Sequence, residues 1–411
     1  MTATREAGFD GGPLAALRVR PFFWWFAGQV TSASGGMTQT VAVGFLIVSW
    51  HGNGLELGVL SAAALGPTLL LGLWAGALID QHQRRTILIW TQSLFTLLSL
   101  LLYAMIVSET ASYWPLIAVT LATGVITAID APARQIYVLD LVGTERVAGA
   151  VSLYEVIVNL SRILGPAVGG ILLATAGPAW CVLVNALSFL APLAVLLHYR
   201  PTSIPTAPTS RSGGGRSSAI AGVRYAFSQP LLRTLVLLAA SAAPLFTPTL
   251  FFPLLATRVF HLGGSGYGLL LALFGIGALP GALLASRRPP TGTRVRTLAL
   301  ATSVCVLVSA TAPTLAILFT GTVLTGMCSI WMIAAANALV QMRTAPELRG
   351  RVMGAWTVAL PGTLPVTAVL AGVIADVLGP RIAYALAGLA IALVALGGWR
   401  AYVEPAALRD S

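Results

Sequence analysis

The chain has 411 residues, of which 57% are hydrophobic and only 9% charged, against roughly 25% charged in an ordinary soluble domain; its mean hydropathy is +0.86. That composition excludes a water-soluble enzyme, which needs polar surface, and intrinsic disorder, which needs low hydrophobicity. The net charge of +11 rests on 24 basic residues against 13 acidic ones, all of the basic ones Arg, and their gathering in alternate loops reads as membrane topology and not as a nucleic-acid surface.

A spanning helix needs ~20 apolar residues. Twelve such runs are predicted in chain order: Phe23–Ser49, Leu57–Ile79, Ile87–Val107, Tyr113–Ile129, Val147–Ala174, Ala179–His198, Leu232–Phe260, Tyr267–Ala285, Arg296–Ala312, Leu315–Val340, Val352–Val377 and Ile382–Tyr402. They are long and uninterrupted, unlike the ~10-residue alternating strands of an outer-membrane barrel. The fold class is therefore an all-α polytopic membrane protein. Arg5, Arg18 and Arg20 precede the first span, Arg84 and Arg85 follow the second, and Arg134 and Arg146 follow the fourth. The loops at His51–Glu56, Ser108–Ser112 and Gly177–Pro178 hold no Arg. Arg200, Arg211, Arg216 and Arg224 follow span six, Arg287, Arg288, Arg294 and Arg296 follow span eight, and Arg343, Arg349 and Arg351 follow span ten. By the positive-inside rule both termini are expected in the cytoplasm, the chain lying in a bacterial inner membrane. Only Arg258 and Arg381 fall on the other side, and Arg162 lies within a span. No cleavable signal peptide is visible. Cys181, Cys305 and Cys328 all sit in apolar runs, with neither a disulfide framework nor metal spacing.

The expected organisation is a tail at 1–22, a six-helix bundle at 23–198, a linker at 199–231, a second bundle at 232–402 and a tail at 403–411. Pro201–Gly215 is rich in Pro, Ser, Thr and Gly, the composition of a flexible linker. The halves repeat. Gly76-Ala77-Leu78-Ile79 recurs as Gly281-Ala282-Leu283-Leu284, and Gly170, Gly177 and Pro178 recur 202 positions on as Gly372, Gly379 and Pro380. Two pseudo-symmetric six-helix halves are a mark of secondary transporters.

Three stretches carry chemistry. After span two the chain reads Gly76-Ala-Leu-Ile-Asp80-Gln-His-Gln-Arg84-Arg85. Gly76 permits close helix packing, Asp80 can accept bonds from a neighbouring helix N-terminus, and Arg84 can pair with a carboxylate on another helix. Span four ends Asp130-Ala-Pro132-Ala-Arg134-Gln135, a charge cluster expected at the membrane face. Span five reads Glu155-Val-Ile-Val-Asn159-Leu-Ser-Arg162-Ile-Leu-Gly165-Pro166-Ala-Val-Gly169-Gly170. Residues 155, 159, 162 and 166 fall on one helical stripe. A charge at mid-membrane costs ~2.5–3.5 kcal/mol, so the stripe is expected to face a central cavity.

The first stretch resembles motif A of the major facilitator superfamily, departing from it at Gln81 and Gln83. Arg162 to Gly170 is similar to the superfamily's motif C, associated with antiporters. Together with the span-four motif they resemble the drug- and siderophore-exporter branch that holds the enterobactin exporter and the macrolide efflux proteins. That resemblance implies a major facilitator fold and a gate of Gly76, Asp80, Arg84, Arg85, Asp130 and Arg134, with Asp130 the partner of the motif A arginine and the cluster close to Gly354. It implies proton-coupled antiport of drugs or other amphipathic small molecules by alternating access, and motif C argues against inward symport. An inert scaffold or lipid-handling protein is disfavoured by the intramembrane Glu155 and Arg162. Glu155 is the expected proton carrier, as the only acid well inside a predicted span, with Asp130 next. Gln29, Gln39, Tyr154, Asn159, Asn185, Phe252, Trp331 and Asn337 are candidates to line the substrate cavity. Trp24, Trp25 and Trp114 are expected as interfacial anchors. The repeat of Asp80 after span eight is Ala285, so the second gate is degenerate. No P-loop, metal cluster or nucleophile triad appears, so no cofactor is expected and ATP is not the driver. The expected partners are substrate, protons and the lipid bilayer around a monomer.

Overall fold

The computed structural model describes residues 13–142, 147–199, 224–247, 250–345, 348–360 and 362–402. Most of the predicted linker, residues 1–12 of the N-terminal tail, the C-terminal tail and residues 143–146 lie outside the described residues. So do the side chains of Gly76, Asp80, Glu155 and Asn159, although helices run through those positions.

The described residues form helices without a strand. They are α1 (Arg20–Ser49), α2 (Gly54–Gln81), α3 (Arg84–Val107), α4 (Tyr113–Val142), α5 (Val147–Thr175), α6 (Pro178–Ser188) and α7 (Leu190–His198) in the first half. The second half holds α8 (Pro230–Ala242), α9 (Phe251–Leu254), α10 (Gly263–Arg287), α11 (Gly292–Ala310), α12 (Leu315–Arg343), α13 (Arg349–Ala359), α14 (Leu364–Leu378), α15 (Pro380–Gly397) and α16 (Trp399–Tyr402). Among the described residues nine helices are long and apolar enough to cross a membrane, and ten if the bent pair Pro230–Phe246 and Phe251–Val259 is one crossing.

The structure departs from an unbroken twelve-helix pattern at several places. Thr31, Ser32, Ser34, Thr38, Gln39 and Thr40 dilute the hydropathy of α1, whose 30 residues still suffice to span. Span seven breaks by 44° after a 3₁₀ turn at Ala243–Phe246 that contains Pro244, because proline removes a helical donor and clashes with the preceding turn. Span eleven is split into α13 and α14 around 360–363. Span four, by contrast, runs 13 residues past its predicted end at Ile129, to Val142.

The repeat read from the sequence is visible in the backbone. Gly177 (φ 87°) and Gly379 (φ 95°) both take the left-handed region, which glycine enters without a Cβ penalty. Each is followed by a proline that opens a helix, Pro178 or Pro380. Two seams join the halves. Along α2 and α14, a Cβ on Gly54 would lie 2.5 Å from the Gly372 carbonyl, and one on Gly58 2.7 Å from that of Ala368. Along α5 and α10, a Cβ on Gly268 would lie 2.5 Å from Gly170 Cα, and one on Gly275 2.6 Å from the Arg162 carbonyl. Small residues let these backbones touch, as membrane helix packing requires. The outer surface carries exposed apolar side chains such as Leu70, Trp74, Trp90, Val377 and Leu393, the complement of a lipid environment. Trp24 and Trp114 are exposed near helix ends, whereas Trp25 is buried and stands edge-on to Tyr137 of α4 at 5.0 Å. Trp25 is therefore a packing residue and not an anchor.

Candidate functional site

The polar groups of the first half gather where α3 and α4 run side by side. Asp130 is 1% exposed. Its Oδ1 accepts from Thr91 Oγ1 (2.6 Å) and Gln92 Nε2 (2.9 Å), and its Oδ2 pairs with the Arg134 guanidinium one turn along α4. A buried carboxylate without such donors would carry the full cost of desolvation. Ten residues further on, ~15 Å along the helix, Asp140 accepts from Arg84 Nη1 at 2.8 Å. Arg85 turns the other way and donates through Nε to the Leu196 carbonyl at 2.7 Å. It thereby satisfies a C-terminal carbonyl of α7 and sits at the negative end of that helix.

Among the described contacts Arg84 pairs with Asp140, where Asp130 was expected; Asp130 is engaged by Thr91, Gln92 and Arg134. The reason is the length of α4. With the helix continued to Val142, Asp130 moves inward to the level of Thr91, and Asp140 takes its place at the level of Arg84. Gly354 is exposed near the start of α13; the side chain of Asp80, which the expected cluster includes, lies outside the described residues. Glu155 is consequently not the sole acid well inside a helix.

The motif C stretch seats two neighbours at once. Thr38 Oγ1 donates to the Gly165 carbonyl at 2.9 Å, Gly169 lies against Val41 of α1, and Gly170 lies against Gly268 of α10. Pro166 is buried within α5. On the same helix Leu164, Val168 and Ile171 are exposed. At 100° per residue the stripe of 155, 159, 162 and 166 lies opposite that apolar face. Arg162 is half-buried.

The cavity candidates separate into two groups. Gln39 Oε1 accepts from Asn185 Nδ2 (2.7 Å) and Ser99 Oγ (3.1 Å), tying α1, α6 and α3 together. Phe252 is buried against Phe274 and Tyr384, with ring centroids 6.0 and 6.3 Å away. In all three, polar or aromatic atoms engage neighbouring helices, and Gln39 remains half-buried. Asn337 Oδ1 accepts from Gln341 at 3.0 Å, and Tyr154 is half-buried. Gln29 is 1% exposed, yet neither of its amide heteroatoms has a hydrogen-bond partner, and the same holds for Trp331 Nε1. Buried polar atoms are ordinarily paired, which keeps Gln29 and Trp331 as candidate ligand contacts. Gln29 shares the α1 stripe of Trp25, Ser32 and Gly36, and a Cβ on Gly36 would meet nothing within 4 Å. A separate crevice of about 490 Å³ opens on the other side of α1, lined by Val30, Ser34, Leu164, Val168, Leu187 and Ser188.

Comparison with known proteins bears on this arrangement. Residues 11–410 match the model of the family described as transmembrane secretion effector. The multidrug efflux pump Tap of Mycobacterium tuberculosis is 27% identical over 383 residues, 87% of this chain and 88% of that protein. The enterobactin exporter EntS of Citrobacter koseri is 24% identical over 82% of this chain and 81% of its own length. A bacterial homologue of the human lysosomal transporter Spinster, solved in an inward-facing and occupied conformation, superposes with a TM-score of 0.73 at 15% identity, covering 95% of this chain and 99% of that one. The nucleoside transporter NupG superposes with a TM-score of 0.74 at 10% identity, covering 94% and 100%. The chain belongs to the transmembrane secretion effector family, in the drug- and siderophore-exporter branch of the major facilitator superfamily.

Proposed function

We propose that this chain is a proton-coupled antiporter that exports drugs, siderophores or other amphipathic small molecules by alternating access. It works as a monomer in a bacterial cytoplasmic membrane, with both termini in the cytoplasm. The observation that carries the reading is Asp130: a carboxylate buried inside a spanning helix, held by donors from α3 and by its own Arg134. Intramembrane ionisable groups are costly and mark ion pathways. A proton on Asp130 cancels the charge that pairs with Arg134 and weakens the charge-assisted bonds from Thr91 and Gln92, so proton occupancy is converted into a change in how α3 meets α4. Glu155, on the α5 stripe with Arg162, is the second station. Each proton moved inward at 100 mV supplies ~2.3 kcal/mol. The amides of Gln29 and the indole N–H of Trp331 offer polar contacts within otherwise apolar surroundings, the usual make-up of a small-molecule pocket. The names of the relatives, a multidrug efflux pump and an enterobactin exporter, support the same substrate class.

The test is uptake of a fluorescent cationic dye into everted vesicles. Uptake should collapse with a protonophore and persist when ATP is removed but the gradient is kept. Asp130→Asn should abolish uphill uptake while preserving downhill counterflow. Uphill transport by Asp130→Asn at the parent rate would remove Asp130 from coupling, and uptake that survives the protonophore would remove the proton.

A further inference from the structure

At the arginine-poor end the two halves are joined by a charged contact between the start of one helix and the end of another. Asp376 lies two residues before the end of α14. Its Oδ1 accepts from the backbone N–H of Gly54 at 2.6 Å, and its Oδ2 from that of Leu55 at 2.8 Å. These are the first two N–H groups of α2, which a helix cannot satisfy internally. The third, that of Glu56, is met locally by Asn53 Oδ1 at 2.8 Å, and Glu56 returns a bond to the Asn53 N–H. Asn53 thus caps only part of the helix start, and Asp376 from the opposite half supplies the rest. The carboxylate also meets the positive end of the α2 dipole. Arg258, at the end of span seven, stands 3.7 Å from the same carboxylate and donates to the Gly52 carbonyl just before α2.

We infer that Asp376 and Arg258 form the latch that holds the arginine-poor face closed. This rests on the alternating-access reading above and deepens it. Parting α2 from α14 strands two helix N–H groups, one carboxylate and one guanidinium together. The contact sits beside the Gly54–Gly372 approach, so charge and close packing break in the same motion. The register of the seam accounts for its position. Gly54 faces Gly372, Gly58 faces Ala368 and Leu69 faces Gly362, so α2 runs antiparallel to its partner and meets its end.

The experiment measures distances across that face by pulsed electron resonance. Spin labels are placed at Ser112 and Ser265 after the three native cysteines are replaced by Ala. Asp376→Asn keeps the size but loses the charge and one acceptor, and should raise the open-face population about tenfold, since charge-assisted bonds are roughly twice as strong as neutral ones. Arg258→Gln leaves the α2–α14 seam untouched and should open the face by a smaller factor; it decides the matter if Asp376→Asn does not fold. Glu56→Gln, which alters only the local cap, should leave the distances unchanged. Parent-like distances in both Asp376→Asn and Arg258→Gln overturn the latch. If Gly268→Ala, which perturbs packing alone, does open the face while these two do not, the latch fails and alternating access stands. If none of the three opens it, the alternating-access reading itself has failed.

Discussion

Gly268 is a position where the closed face is sensitive to a single methyl group. A Cβ there would lie 2.5 Å from Gly170 Cα, 2.8 Å from Gly170 N and 2.8 Å from the Pro166 carbonyl. All three are backbone atoms of α5 and cannot rotate away. Ordinary carbon contact is ~3.5–4.0 Å, so α5 and α10 must separate by about 1 Å to admit Gly268→Ala. Overpacking of this kind costs ~1–3 kcal/mol. Alanine also favours the helix over glycine by ~1 kcal/mol, but that gain is the same in every conformation and does not alter the balance between them. The packing cost falls only on the state in which the seam is closed. The ratio of open to closed should therefore rise about 5- to 150-fold. The labels at Ser112 and Ser265 report it directly. Gly170→Ala, whose Cβ would lie 3.2 Å from Gly268 Cα, should shift the balance less, and Gly36→Ala, with nothing within 4 Å, not at all. A parent-like distance distribution in Gly268→Ala, or a larger effect at Gly36 than at Gly268, would refute the assignment of this seam to the closed face.

Three further outcomes are expected. Exchanging Arg84 and Asp140 (Arg84→Asp with Asp140→Arg) should restore most of the activity lost in either single variant, and a double-mutant cycle should give a coupling of ~1 kcal/mol or less, because both groups are partly exposed; a null cycle would unmake the pair. Asn185→Ala should lower the unfolding midpoint through loss of a buried bond to Gln39 at 2.7 Å, worth ~1–3 kcal/mol when the partner is left unpaired, while leaving the substrate KM unchanged. Gln29→Leu should change KM or substrate preference with no loss of thermal stability, since Gln29 gives up no protein hydrogen bond; a large drop in stability with an unaltered KM would assign it to packing.

Hydropathy made most of the fold legible because a spanning helix must be apolar over about twenty residues, and the Gly-Pro turns marked the repeat because a left-handed residue at the head of a helix calls for glycine. The same signal failed where polar groups pair with one another. Asp130, Arg134 and Gln135 read as a charge cluster at the membrane face after Ile129, yet α4 continues through them to Val142, since Asp130 and Asp140 find partners on α3. Composition cannot register a charge that another helix has already met. For the same reason the sequence does not reveal that Gln39 and Asn185 bond each other across α1 and α6. The role of Asp376 has no signature in the sequence, because its partners are backbone N–H groups 321 and 322 residues away and no side-chain pattern announces a free helix start.

Among the described residues the ion pairs at the two ends are of different kinds, and the difference bears on how the halves can move. At the arginine-rich end the described ion pairs, Arg84–Asp140 and Arg134–Asp130, lie within the first half. A rocking of one half against the other leaves them intact, so they add rigidity to the moving body without opposing the motion. At the arginine-poor end the contacts cross between halves: Asp376 to the start of α2, Arg258 to the Gly52 carbonyl, Gly54 to Gly372 and Gly170 to Gly268. Each of these must break for that face to open. Substrate binding can shift the balance only by its difference in affinity between the two states, and an interhalf latch of a few charge-assisted bonds sets the scale that this difference has to match.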